Sequence, residues 1–505
     1  MSNDAAPIGA VAFLRFLWAQ LTSMRTALTL LFLGALAAIP GSLIPQRPVS
    51  PAQVEQFQRD NETLGRIYDA LGLFNVYTSG WFSAIYLLLL ISLLGCIIPR
   101  CAQFVRALRA EPVKVPSRLD RLPVSATVPF DGSGRASLDR AEAWLRQRRF
   151  RVRREDGAIS AERGYLREFG NLLFHVSLVF MLIGVACTVT FGYRGSASVL
   201  VGQGFSNTLS QYDEITSGPA FTDRDLVPFS VGVEDFEATF ELGEVNTGQP
   251  REFTMLAEVI DHPGAAPRQE VIELNRPLEV QGTQIHLLGH GYAPQVTVRD
   301  AAGDVAWQGP VIFVPRDGNL TSTGVVNAVD GRPERLGFEG MFLPTGQVDE
   351  QGPRSMFPDA LHPQLFLTAY HGPPKEETGQ PSNVYTLDKT GMEQFRKENG
   401  EPFAFSMNPG ETVELPDGAG SITFDGYQRW VRLQVSHTPG MVFTLIWTMT
   451  AVAALCLSLF IRPRRLWVKY TDGEVQVAGL DRADARTGLI EEVEALASAA
   501  IGETN

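Results

Sequence analysis

Four stretches of this chain are apolar throughout, and between them polar and apolar residues mix or alternate. The stretches cover residues 26–43, 81–98, 169–191 and 441–461, and none contains Asp, Glu, Lys or Arg. About 20 such residues cross a hydrocarbon core of about 30 Å as a helix, so each stretch predicts a transmembrane span. Arg25 precedes the first span and Ala37-Ala38 lie near its end, as in some secretory signals. No cleavage signature follows and three more spans do, so this span reads as uncleaved. Ahead of it, Phe13, Leu14, Phe16, Leu17, Trp18 and Leu21 form an apolar group around Arg15. That group predicts either a short helix at the membrane interface or a ragged beginning of the first span.

The remainder falls into unlike pieces, as expected of 505 residues, too many for one hydrophobic core. Residues 137–148 predict a helix with Ser137 as N-cap and Asp139 in its first turn. Residues 150–153 alternate like a short strand that pairs with 159–161. The long segment 192–440 reads as mainly β, with candidate strands at 198–201, 228–233, 253–260, 284–288, 295–298, 311–314, 365–370, 421–424 and 430–435. Short strands separated by Gly, Pro and Asp suggest a sandwich or a barrel-like sheet. The tail after Lys469 is polar and reads as solvated, with one helix over 488–501.

Charge orients these pieces. Residues 100–168 hold 16 Lys+Arg against 9 Asp+Glu, a net of +7, whereas residues 194–437 hold 16 against 34, a net of −18. Lys and Arg near span ends mark the cytoplasmic side. Arg15 and Arg25, then Arg100, Arg106, Arg109, Arg163 and Arg167, then Arg462, Arg464, Arg465 and Lys469 all fall on one side if both termini are cytoplasmic. The expected fold is an α-helical membrane protein with four transmembrane helices plus a large mainly-β extracytoplasmic domain. Its order is a cytoplasmic or interfacial N-terminus 1–25, TM1 26–43, an outer loop 44–80, TM2 81–98, a basic cytoplasmic loop 99–168, TM3 169–191, the β-rich domain 192–440, TM4 441–461 and a cytoplasmic tail 462–505. The expected location is the plasma membrane. The basic run from Arg146 to Arg154 lies beside the membrane, where anionic lipid at the cytoplasmic face is a simpler partner than nucleic acid.

Candidate chemistry is sparse. His175 is the one histidine of seven inside a span, and a titratable group in lipid marks a bundle interior, a cavity or a cofactor. It stands about six residues into its span, roughly 9 Å at 1.5 Å per residue, in the inner half of the membrane. Asn171, one turn earlier, shares its face and is placed to hydrogen-bond it. A histidine simply bonded to a neighbouring helix is the competing account. His437 precedes the fourth span on the outer side, as a ligand, an acid/base or a helix cap. His286 and His290 are four apart, but their flanks read as a strand and a Gly-rich turn, which argues against a metal pair. His262, His362 and His371 read as solvated loop residues. Cys96 and Cys101 are spaced C-x4-C, unlike a zinc or thioredoxin motif, and with Cys187 and Cys456 they lie in or beside spans. The acidic segment has no cysteine, so an ordinary core must hold it. No Gly-x-Ser-x-Gly elbow, Walker loop or zinc-protease helix occurs.

Several ordered motifs resemble one family. Ser23-Met24-Arg25-Thr26-Ala27-Leu28 opens the first span, and Pro40-Gly41-Ser42-Leu43-Ile44-Pro45-Gln46 closes it. Leu94-Gly95-Cys96-Ile97-Ile98-Pro99-Arg100 closes the second. Gly164-Tyr165-Leu166-Arg167-Glu168-Phe169-Gly170-Asn171 leads to His175. Leu288-Gly289-His290-Gly291-Tyr292-Ala293-Pro294, Val435-Ser436-His437-Thr438-Pro439-Gly440 and Arg464-Arg465-Leu466-Trp467-Val468 follow. Over nearly its full length the chain resembles the ResB (CcsB) family of System II cytochrome c maturation, in a form similar to its actinobacterial branch.

The resemblance implies a role in cytochrome c biogenesis. A ResC/CcsA-like membrane protein would be the partner, haem b the transported or bound group, and apocytochrome c the recipient. The chain would be one subunit of a haem lyase complex, without a catalytic constellation of its own. The family's intramembrane haem-ligand histidine falls on His175. His437 matches an outer family histidine, and Cys96 or Cys101 is comparable to a thiol implicated in haem contact. Two other classes stay open: a membrane-anchored scaffold or sensor with no haem site, and a b-type electron-transfer subunit whose second axial histidine comes from elsewhere.

Overall fold

The computed structural model describes residues 9–243, 245–350, 352–374, 386–481 and 488–503. It divides into two units, one of Met1–Val185 with Met441–Asn505 and one of Ala186–Gly440.

The first unit is built on apolar helices. Helix α1 (Ala10–Leu21) stops at Thr22, and Ser23 caps α2 (Met24–Leu43) by accepting the Thr26 N–H at 3.2 Å. A serine oxygen in that place satisfies one of the N–H groups a helix start leaves open. The apolar group 13–21 is therefore a helix of its own, not a ragged start. Short helices α3 (Pro51–Asp60) and α4 (Glu62–Ala70) follow. Buried Gln46 holds the segment in register, donating to the Ile44 and Leu73 carbonyls and accepting from Val76 N–H.

Helix α5 (Gly80–Arg109) runs through Pro99 and extends well past the predicted 81–98. It also completes α1. Ser92 donates to the Leu21 carbonyl at 2.7 Å and the Cys96 thiol to the Thr22 carbonyl at 2.9 Å. Carbonyls at a helix end lack internal partners, and α5 supplies them in surroundings that offer little water. Helices α7 (Tyr165–Phe191) and α8 (Met441–Phe460) cross where Gly170 meets α8 backbone; a Cβ there would stand 2.7 Å from the Ala454 oxygen and 2.8 Å from the Ser458 nitrogen. Close approach at a small residue is a common way for apolar helices to associate. Further along, the Phe180 and Trp447 rings stack at 4.4 Å. Helices α2, α7 and α8, and the helical run that contains α5, are each long and apolar enough to cross a membrane.

A small α/β module completes this unit. Its five antiparallel strands lie in the order Val124–Pro129, Glu474–Asp481, Arg464–Thr471, Ala158–Arg163, Arg151–Glu155. Helices α6 (Gly134–Gln147) and α9 (Leu489–Ile501) pack on the sheet through Leu138, Ala141, Leu145, Val493 and Leu496. Two expectations change here. The tail supplies two inner strands and a core helix, so it is not solvated. And α6 begins at Gly134, a glycine that lies under the Tyr470 ring, so Ser137 is fully buried inside the helix instead of capping it. The predicted pairing of 150–153 with 159–161 is present, from Arg151↔Glu162 to Glu155↔Ala158.

The second unit is mainly β. Two 18-residue strands, Thr283–Asp300 and Gly420–His437, pair antiparallel along their whole length. Ile285, Leu287, Val431, Leu433 and Val435 serve one core with strands Ser230–Phe240 and Pro250–Ile260. Tyr292, Val296, Val298, Ile422 and Phe424 serve a second core with strands Ser322–Ala328, Arg335–Leu343 and Gln364–Gly372. Sequence reading cut each long strand in two. The register shifts between Leu287 and Gly289 and between Gln295 and Val296, and such a bulge interrupts the period of two on which strand recognition rests. At 311–314 only Val314–Pro315 is a strand. His371 lies within Gln364–Gly372, paired with Glu334 and packed on Phe395, not in a solvated loop.

Replacing Gly170 with Val should force α7 and α8 apart. Overpacking of this kind costs about 1–3 kcal/mol, so thermal unfolding of the detergent-solubilised protein should shift to lower temperature by several degrees.

Candidate functional site

His175 is half-buried on α7, ten residues beyond Tyr165. Its Nδ1 lies 2.7 Å from the backbone oxygen of Asn171, one turn earlier. A carbonyl oxygen only accepts, so Nδ1 must carry the proton, and the neutral ring keeps its lone pair on Nε2. This is the arrangement that orients a histidine for metal ligation, with one nitrogen anchored and the other free to bind. The expected contact with Asn171 is real, but the main chain makes it. The Phe174 ring stands edge-on to the imidazole at 5.2 Å.

Arg167, Asn171 and His175 succeed one another at intervals of four and so share one stripe of α7. Arg167 and Asn171 line a cavity of about 590 Å³ bounded by the ends of α5, α7 and α8 and by the α/β module. Small-molecule sites typically measure about 300–1,000 Å³. Glu162, only 8% exposed, organises one wall: it ion-pairs with Arg465 at 2.8 Å and accepts hydrogen bonds from the Tyr165 hydroxyl and the Val113 N–H. The sequence offered Arg167 and Arg465 as charges flanking spans; nothing in it disclosed that they and Glu162 enclose a space.

His437 ends the strand Gly420–His437, opposite Tyr193 on one side and Thr283 on the other. Its Nδ1 donates to the Gly282 carbonyl at 3.1 Å, and its ring stacks on Tyr193 at 5.9 Å. Here too Nε2 is left over. Cys96 is half-buried and its thiol is committed to the Thr22 carbonyl. Cys101, also half-buried, is five residues further on α5 and therefore on another face.

His290 is the histidine the sequence undervalued. It sits in the strand Thr283–Asp300, not in a turn, with His286 on the same strand across the bulge. Its ring is 7% exposed, lies 4.6–6.0 Å from Phe236, Phe240 and Phe253, and has no partner for Nδ1 among the described residues. Burial, assisted by the Arg429 charge, pushes its pKa down to about 4. The unfolded chain takes the proton near pH 6.5 and the folded one resists it. This contribution to stability is complete above pH 6.5 and is lost as pH falls toward 4. Between pH 7 and 4.5 the protein should lose about 2–3 kcal/mol more than a His290→Leu variant, read from denaturant unfolding of both; equal pH slopes would remove the argument.

A family model described as ResB-like matches residues 24–494. The chain is 28% identical over 427 residues to "Cytochrome c biogenesis protein CcsB" of Synechococcus sp. (strain WH7803), covering 83% of this chain and 91% of that protein. It is 26% identical over 405 residues to the protein of that name from Synechococcus sp. (strain CC9311), covering 78% and 85%. For its namesake in Prochlorococcus marinus (strain MIT 9303) the figures are 25% over 360 residues, 66% and 79%. With the match running from the first residue of α2 into α9, the chain belongs to the ResB-like family.

Proposed function

We propose that this protein, a membrane-associated member of a cytochrome c biogenesis family, carries haem b with a CcsA-like partner and presents it for attachment to apocytochrome c. The observation that carries the reading is His175: an imidazole inside an apolar helix, anchored through Nδ1 to the Asn171 carbonyl and left with Nε2 for a ligand. The chain's residues suit such a cargo. Nε2 supplies one axial nitrogen of the kind that holds haem iron, and the cavity reached by the same stripe of α7 lies in the size range of a large amphipathic ligand.

The sidedness follows from charge. Arg106, Arg109, Arg163, Arg167, Arg464 and Arg465 cluster at the cavity end of the helices, which supports a cytoplasmic location for that end and the α/β module. The acidic β unit then lies outside, with anionic lipid meeting the basic end. Haem would engage His175 from the inner side, and His437, with its own Nδ1 anchored, would be available as a ligand on the outer side. A second ligand at each stage comes from the partner subunit. Cys96, hydrogen-bonded to a helix-end carbonyl, is assigned to packing.

In the complex purified with the CcsA-like protein, His175→Ala should abolish most of the haem absorbance while circular dichroism stays unchanged. Full haem content and normal c-type cytochrome levels in that variant would favour a scaffold without a haem site. Asn171→Ala should behave differently. The anchor for Nδ1 is main chain, so the variant should keep its haem, with a loss of under about tenfold (1.4 kcal/mol) in affinity.

A further inference from the structure

The cavity at the base of α7 has a charge arrangement that the haem-carrier reading alone does not require. Glu111 pairs with Arg153, Glu162 with Arg465, and both Arg163 and Arg464 with Glu492. Two charged groups on the wall, Arg167 and Glu168, have no ion-pair partner among the described residues. Their burial separates them. Glu168 is exposed, so water screens it, whereas Arg167 is half-buried as a residue. An unpaired cation at the edge of an apolar helix bundle is costly unless something anionic meets it. It stands at the mouth of the stripe that leads through Asn171 to His175, two turns or about 12 Å further on.

We infer that this cavity is a carboxylate-binding vestibule, and that Arg167 takes a propionate of the porphyrin on its way to His175. The assignment rests on the haem-carrier reading and adds to it the group that the protein recognises at entry. Guanidinium is suited to the task, since it offers paired N–H donors in the plane of a carboxylate and stays charged when partly desolvated. The paired arginines around it are held by Glu162 and Glu492 and shape the wall. Among the described residues of the wall, a propionate therefore has Arg167 as its open cation, with the apolar macrocycle toward the helices.

The competing occupant with similar charge is a lipid phosphate, and an arginine that merely snorkels to the interface is a third account. The test uses the full chain co-purified with its CcsA-like partner. Binding of haem b and of haem b dimethyl ester, which lacks both carboxylates, is titrated optically for wild type, Arg167→Gln, Arg167→Lys and His175→Ala. Wild type should prefer the free acid. Arg167→Gln should bind the acid about tenfold more weakly, bind the ester as wild type does, and keep the wild-type spectrum. Arg167→Lys should fall between them. An acid-over-ester preference unchanged in Arg167→Gln overturns the vestibule. So does competition from phosphatidylglycerol in nanodiscs that weakens acid and ester alike in wild type and vanishes in Arg167→Gln, because the cation then serves a lipid phosphate. A wild-type haem spectrum in His175→Ala instead sinks the haem-carrier reading, whatever Arg167 does.

Discussion

A neutral imidazole has one proton to give and one lone pair to offer. In α7 the His175 Nδ1–H donates to the carbonyl of Asn171, and that single contact decides which nitrogen keeps the lone pair of the neutral ring. The rest of the helical unit holds it in place. Gly170 lets α7 lie against α8 backbone one turn before the histidine. The carbonyls that end α1 are satisfied by Ser92 and Cys96 of α5, so a break between two apolar helices needs no water. The lone pair on Nε2 stands out because the other nitrogen of the same ring has its partner.

The α/β module bears on function through its connectivity. Two of its inner strands come from the residues that follow α8, and its other three strands from the loop before α7. Arg465 from one and Glu162 from the other meet across the cavity wall, and Arg163 and Arg464 share Glu492 of α9. The space beside Arg167 exists because two distant parts of the chain close one sheet. In the β unit a comparable economy places His290 among three phenylalanine rings near the bulge of the Thr283–Asp300 strand. Its ring stays neutral for lack of water, which is a constraint on stability in acid rather than a ligand set.

The sequence alone determined which stretches are apolar enough to span a membrane, that one histidine stands among them, and that opposite charge separates the two large polar parts. These are one-dimensional properties: hydropathy accumulates along a helix, and charge adds without knowledge of contacts. It also carried enough ordered motifs to indicate the family. Tertiary structure decided the rest, because it depends on residues far apart in the chain. The bulges that join two short β patterns into single 18-residue strands break the period by which strands are read. Strands from the tail enter a sheet only because a loop some 300 residues earlier offers them edges, and a main-chain anchor such as the Asn171 carbonyl is a group every residue has, so no side chain advertises it.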